Sequence, residues 1–192
     1  MKRLFAAAAV AAFAISSPAF AALAVGAKAP DITAKSYEAG KEKPFSLAAA
    51  LKKGPVVLYF FPGAYTPGCN IEAKAFVTNI EKYKAQGAQI VGVTGGFATA
   101  ERTGPPAANL DEAVKDFSTT HCNGQFPVVV ASADLINAYD VALTQRPGWS
   151  NRTSYVIGPD GKIALAFSNL SPDGHIEKTL ESVTALKAAK KN

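Results

Sequence analysis

Residues 59–70, YFFPGAYTPGCN, decide the fold. They close the run Val56-Val57-Leu58-Tyr59-Phe60-Phe61, which is apolar, β-branched and aromatic without alternation, and so predicts a strand buried on both faces of a sheet. Pro62 breaks the run, and a loop carrying Gly63, Pro67 and Gly68 follows. Ile71, Ala75, Phe76, Ile80 and Tyr83 then recur at helical spacing up to Gly87, which predicts a helix. The junction delivers Cys69, one of only two cysteines in 192 residues.

Working outward, the same logic gives alternating elements. Ser46 caps a short helix ending at Gly54, and residues 89–94, QIVGVT, form a second buried strand stopped by Gly95-Gly96. Residues 97–109 show no apolar period and contain Gly104-Pro105-Pro106, the signature of a loop. Asn109 opens a helix with Asp111 and Glu112 in its first turn and Val114 and Phe117 facing inward. Residues 126–130 give a third strand, Ser132 caps a short helix through Tyr139, and residues 141–151 form a loop. Residues 152–157 and 163–167 make an antiparallel hairpin around Pro159-Asp160-Gly161-Lys162, followed by a helix over 172–189. The order is strand, helix, strand, helix, strand, helix, hairpin, helix. It predicts an α/β protein with a mixed central β-sheet and helices on both faces, a βαβ half joined to a ββα half as in the thioredoxin-like fold.

The N-terminus, MKRLFAAAAVAAFAISSPAFAA, has two basic residues, an apolar stretch too short to span a bilayer, and small residues before Ala22. Those are the parts of a secretory signal peptide, expected over 1–21 with cleavage after Ala21, leaving 22–192 as a single exported domain, periplasmic or secreted. About 170 residues suffice for a sizeable core. Lys2 and Arg3 carry two of the five net positive charges, and the remaining excess is dispersed, which speaks against nucleic acid as a partner. No second apolar run of spanning length follows, so stable membrane insertion is not expected either.

In an oxidising compartment Cys69 and Cys122 could form a plain structural disulfide. The surroundings of Cys69 point to a different use. It lies beyond the carboxyl end of a central strand, where α/β sheets place their sites, and in the first helical turn, where unpaired N–H groups and the helix dipole favour an anion. Its thiol is therefore expected to ionise more readily than a free one, and the thiolate is the reactive form. Pro67 suits a helix start, Pro62 sets the loop direction and would shield the sulfur from bulk water, and Thr66 offers a hydroxyl either to the thiolate or as an N-cap.

Pro62, Thr66 and Cys69 spell P-x-x-x-T-x-x-C, and the pattern resembles the active site of the peroxiredoxins, in particular the bacterioferritin-comigratory or peroxiredoxin Q branch. IEAKAF after the cysteine and RTSYVIGPDGKI, beginning at Arg152, extend the similarity, which covers roughly residues 25–188. The resemblance implies a thiol-dependent peroxidase acting on hydrogen peroxide and organic hydroperoxides, with Cys69 as nucleophile and Thr66 and Arg152 orienting the peroxide. It implies no bound cofactor, an external thiol reductant (a thioredoxin-like protein or a small thiol), and a monomer. Arg152 also suits the chemistry physically, since attack on an O–O bond needs fixed donors aimed at the developing charge. Arg146 is a candidate second cation.

The sequence departs from the Q branch at Lys74, where many of its members carry the resolving cysteine. Cys122 is the other thiol, and the expectation is an intramolecular Cys69–Cys122 disulfide formed after local unwinding. The alternative leaves Cys122 as a buried bystander and the sulfenic acid to an external thiol. His121, His175 and the two cysteines lack metal-ligand spacing, and no metal is expected. Trp149 is assigned to packing, with walling of the site as its other use. A thioredoxin-like thiol-disulfide oxidoreductase would carry cysteine where Thr66 stands, and a non-catalytic domain with an inert disulfide would show no selective thiol reactivity.

Overall fold

The computed structural model describes residues 22–98 and 107–190. The expected signal peptide over 1–21 and most of the loop over 97–109 lie outside the described residues. Seven strands form one mixed sheet in the order β2-β1-β5-β4-β3-β6-β7. They are β1 (Thr33–Glu38), β2 (Lys41–Ser46), β3 (Val56–Phe60), β4 (Gln89–Thr94), β5 (Val128–Val130), β6 (Thr153–Ile157) and β7 (Ile163–Ser168). β3 pairs parallel with β4 and antiparallel with β6, and β4 pairs parallel with β5. This is the mixed α/β sheet of the thioredoxin-like fold.

All five residues of β3 are buried, as a continuous apolar strand requires. Because side chains alternate, Val57, Tyr59 and Phe61 enter one core, and Val56, Leu58 and Phe60 the other. The first core is closed by α2 (Pro67–Thr78), α3 (Ile80–Ala85), α4 (Leu110–Thr120) and α6 (His175–Ala189), which contribute Phe76, Tyr83, Phe117 and Val183. The second takes Leu47 and Ala50 from α1 (Leu47–Leu51) and Ile136 from α5 (Ala133–Ala138). Tyr59 and Phe76 stack with ring centroids 4.4 Å apart, pinning α2 to β3. Full burial of one such aromatic contributes about 1.5–3 kcal/mol. Tyr59 reaches this position because Gly92, its register partner on β4, has no Cβ; one would lie 2.9 Å from the Tyr59 hydroxyl.

Three helix starts follow the expected caps: Ser46, Asn109 and Ser132 each accept from a backbone N–H three residues on. Four features differ from the sequence reading. The β1–β2 hairpin was not anticipated, because KEKPFS buries only Phe45 and so has no apolar period; its lysines and Pro44 suit an outer edge strand. The helix after Cys69 divides at Asn79, whose amide donates to the Ala75 carbonyl and competes with the backbone ladder. Ile71, the first of the residues that recur at helical spacing, is exposed. The last helix begins at His175 rather than at residue 172, after Gly174 in a left-handed conformation (φ 85°).

Candidate active site

The sheet register builds the site. β6 runs antiparallel to β3 with Phe60 opposite Thr153, so Arg152, one residue before β6, arrives beside the end of β3 where the chain turns toward α2. Thr66 is the N-cap of α2, Pro67 opens the helix, and Cys69 sits in its first turn. The Arg152 Nη2 donates to Cys69 Sγ at 3.5 Å, Nη1 pairs with Glu72 Oε2, and Nε donates to the Leu170 carbonyl at 2.9 Å. Gly68 allows this approach: a Cβ there would come within 3.0 Å of Arg152 Nη2. The guanidinium is thus fixed by three acceptors from α2 and the segment after β7.

Cys69 is 1% exposed and Arg152 is 4% exposed. Burial corrects one expectation. In the closed pocket the Cys69 thiol is pushed up rather than down, because desolvation outweighs the downward pull of Arg152, the Thr66 hydroxyl and the Gly63 N–H; Glu72 adds to the upward push. Thr66 makes no side-chain cap bond, so of its two anticipated roles its hydroxyl takes the one toward the thiol. The site therefore offers a charged donor, a hydroxyl and a backbone N–H around one sulfur.

The loop of Pro62 is held from both sides. On one side it forms a short parallel bridge with the segment after β4, in which the Ala64 N–H donates to the Gly96 carbonyl at 2.9 Å. Trp149 lies against this bridge, close enough that a Cβ on Gly63 or Gly96 would strike its ring at 2.7 and 2.5 Å. Trp149 therefore walls the active-site loop. Arg146, considered as a second cation, is exposed and stacks over Trp149 at 4.5 Å; it is not placed at the sulfur. On the other side Tyr65, in a left-handed conformation (φ 67°), is hydrogen-bonded to Asp116 and sets its ring edge-on to Phe117 and His121 of the α4 region.

Cys69 and Cys122 are both free thiols, buried in the same core. The Tyr59 hydroxyl is buried without a hydrogen-bond partner and lies between their influences: burial first, then Cys122, Glu72 and Cys69, push its phenol well up. Burial pushes the Cys122 thiol far up, opposed only by Tyr59. His121 is the C-cap of α4, its N–H bonded to the Phe117 carbonyl, and its ring stacks on Phe117.

Two ionisable residues at the site were not assigned to it from the sequence: Glu72, and His175, which was weighed there as a metal ligand alone. Glu72 is on the buried face of α2, one turn beyond Cys69, and a charged side chain at that spacing inside an otherwise buried face was the available signal. Burial pushes its carboxyl up to about 7 against the pull of Arg152. His175, in the first turn of α6, approaches Glu72 Oε1 with Nδ1 at 3.6 Å.

A buried cysteine at a helix start, faced by a guanidinium and a threonine hydroxyl on a thioredoxin-like sheet, defines a thiol-based redox protein. Residues 25–166 match the AhpC/TSA family. The chloroplastic peroxiredoxin Q of Sedum lineare is 30% identical over 169 residues, covering 88% of this chain and 82% of that protein. That of Arabidopsis thaliana is 30% identical over 167 residues, 86% and 69% of the two chains. The crystal structure of peroxidoxin BcpB from Mycobacterium tuberculosis superposes with a TM-score of 0.68 at 25% identity, covering 84% of this chain and 96% of that one. Mycobacterium tuberculosis AhpC shares the fold, with a TM-score of 0.69 at 17% identity over 88% and 96%. The chain belongs to the AhpC/TSA family of peroxiredoxins, the thiol-dependent peroxidases.

Proposed function

We propose that this protein is an exported peroxidase that reduces hydrogen peroxide and organic hydroperoxides at Cys69, with Cys122 resolving the oxidised sulfur. The observation that carries the reading is the Cys69 sulfur at 3.5 Å from Arg152 Nη2 in the first turn of α2. The Cys69 thiolate attacks one peroxide oxygen; the S–O bond forms as the O–O bond breaks, sulfur gives up two electrons, and the other oxygen leaves as water or alcohol once protonated. Arg152 and Thr66 supply donors to the charge that moves from sulfur to the leaving oxygen. The sulfenic acid then condenses with the Cys122 thiol, forming the disulfide and releasing water.

That second step requires movement, since both sulfurs are buried, the Tyr59–Phe76 stack holds α2 to β3, and the Tyr65–Asp116 contact holds the loop before α2 to α4. The segments to unwind are the first turn of α2 and the end of α4. The disulfide returns to the dithiol by exchange with an external thiol, a thioredoxin-like protein or a small thiol. The sequence before Ala22 supports export, and the similarity to the Q branch supports a monomer and a site without a bound cofactor.

Intact mass after one equivalent of peroxide tests the cycle. Wild-type protein is expected to lose two hydrogens, and Cys122→Ser to gain one oxygen instead. A wild type that gains oxygen without losing hydrogen, together with a Cys122→Ser protein that turns over normally with an external thiol, rules out the resolving role.

A further inference from the structure

Behind Arg152 lies a cluster that the peroxidase reading does not use. Glu72 and His175 are both fully enclosed, with side-chain exposures of 0%. Glu72 Oε2 is satisfied by Arg152 Nη1, whereas Oε1 has no hydrogen-bond donor. His175 Nδ1 lies 3.6 Å from that orphan oxygen. An ionised carboxylate buried with one oxygen unsatisfied is costly, so the site needs a hydrogen on that side.

The partners of His175 decide where that hydrogen resides. Nε2 lies 3.0 Å from the Asn169 carbonyl, which only accepts, so Nε2 carries a proton. Nδ1 lies 2.8 Å from the Ser154 hydroxyl. In the neutral ring Nδ1 is an acceptor with one in-plane lone pair, for which the Ser154 hydroxyl and a proton on Glu72 Oε1 are the two available donors. An imidazolium is disfavoured: burial first, with Arg152 also contributing, pushes His175 down to about 4. The imidazole and the carboxyl oxygen therefore meet acceptor to acceptor unless Glu72 supplies the hydrogen.

We propose that Glu72 is a neutral carboxylic acid in the reduced enzyme, its proton on Oε1 facing His175 Nδ1, and that His175 thereby reserves the Arg152 charge for the Cys69 sulfur. A small rotation of the carboxyl group brings the 3.6 Å separation within hydrogen-bond distance. Charge balance points the same way. The charged or titratable groups facing Glu72 are Cys69 on its own helix, Arg152 beside β6, His175 on α6 and Tyr59 on β3. Tyr59 and His175 are neutral, so Arg152 can balance one buried anion. Thiolate and carboxylate together would leave one negative charge uncompensated in the core. With Glu72 protonated, the Arg152 charge is left to balance the thiolate whenever Cys69 ionises. His175 is a positioning residue, acting through Glu72 rather than on the peroxide.

The consequence for catalysis rests on Cys69 being the peroxidatic residue, but the test reads protons in the reduced protein whether or not peroxide is turned over. Infrared difference spectra of the full reduced chain at neutral pH, with glutamate isotope-labelled, are expected to show a protonated-carboxyl carbonyl band that is absent from Glu72→Gln. No such band in wild type, or the same band in Glu72→Gln, overturns the proposal without any change to His175. The second arm is a double-substitution cycle read by thiolate absorbance. His175→Gln gives Oε1 an amide donor, favours ionised Glu72, and is expected to lower the Cys69 thiolate fraction at neutral pH about tenfold. In a Glu72→Gln background the same substitution should leave that fraction unmoved. Equal effects in both backgrounds would mean that His175 acts through packing, which contradicts the proposal.

Discussion

Cys69 and Cys122 occupy one apolar core and are buried to within a per cent of each other, at 1% and 0% exposure, yet their surroundings differ. Cys122 meets a single tyrosine hydroxyl. Cys69 meets a guanidinium, a threonine hydroxyl and a backbone N–H at the start of a helix. Burial alone disfavours both thiolates. What separates a reactive sulfur from an inert one is whether the fold brings fixed positive charge into the same dry volume, where its interaction is little screened.

The largest expected effect breaks that difference outright. Cys69→Ser abolishes peroxide reduction, and Arg152→Ala slows sulfenic acid formation about 10²–10³-fold, the worth of a donor aimed at transition-state charge; stopped-flow oxidation of the reduced protein measures both. Arg152→Ala reacting at the wild-type rate would make the two cysteines equivalent in kind. A smaller effect sharpens the comparison: Thr66→Val removes one hydrogen bond to the charged sulfur and costs about ten- to hundredfold in the same assay. Under limiting alkylation of the reduced wild type, peptide mass mapping should find label on Cys69 well before Cys122.

The smallest effect concerns the cluster behind Arg152 and is read as stability against pH. Glu72 rises from 4.5 unfolded to about 7 folded, so the native state holds more protons across that window and stability falls as pH rises through it. His175 falls from 6.5 to about 4, so the unfolded state holds more protons and stability rises with pH over that window. The two slopes oppose each other where the windows overlap. Denaturant unfolding at a series of pH values should show a flatter profile for wild type than for either single variant. Glu72→Gln should gain stability steadily from about pH 4 to 6.5, and His175→Leu, which offers Oε1 no donor, should lose it from about 4.5 to 7.

Legibility in the sequence followed the range of the interactions. The β3–α2 unit was readable because a continuous apolar strand, a proline stop and a helical period are all local, and Cys69, Thr66 and Pro67 fall where those signals place them. Arg152 was readable by its resemblance to a motif; its distance from the sulfur comes from the pairing of β6 with β3. The β1–β2 hairpin left no trace because an edge strand built of KEKP hides its single core residue, Phe45. Glu72 with His175 was invisible for another reason. The pair joins α2 to α6 across the core, and although the spacing of Glu72 from Cys69 was a local signal, nothing local linked it to His175.

The most direct measurement is the ultraviolet thiolate titration of reduced Cys122→Ser protein, with and without Arg152→Ala. A nearby opposite charge should hold the midpoint down, so removing it is expected to move the Cys69 titration upward by about one to three pH units. An unchanged midpoint would show that the guanidinium at 3.5 Å does not stabilise the sulfur anion, contradicting the account of why this cysteine reacts.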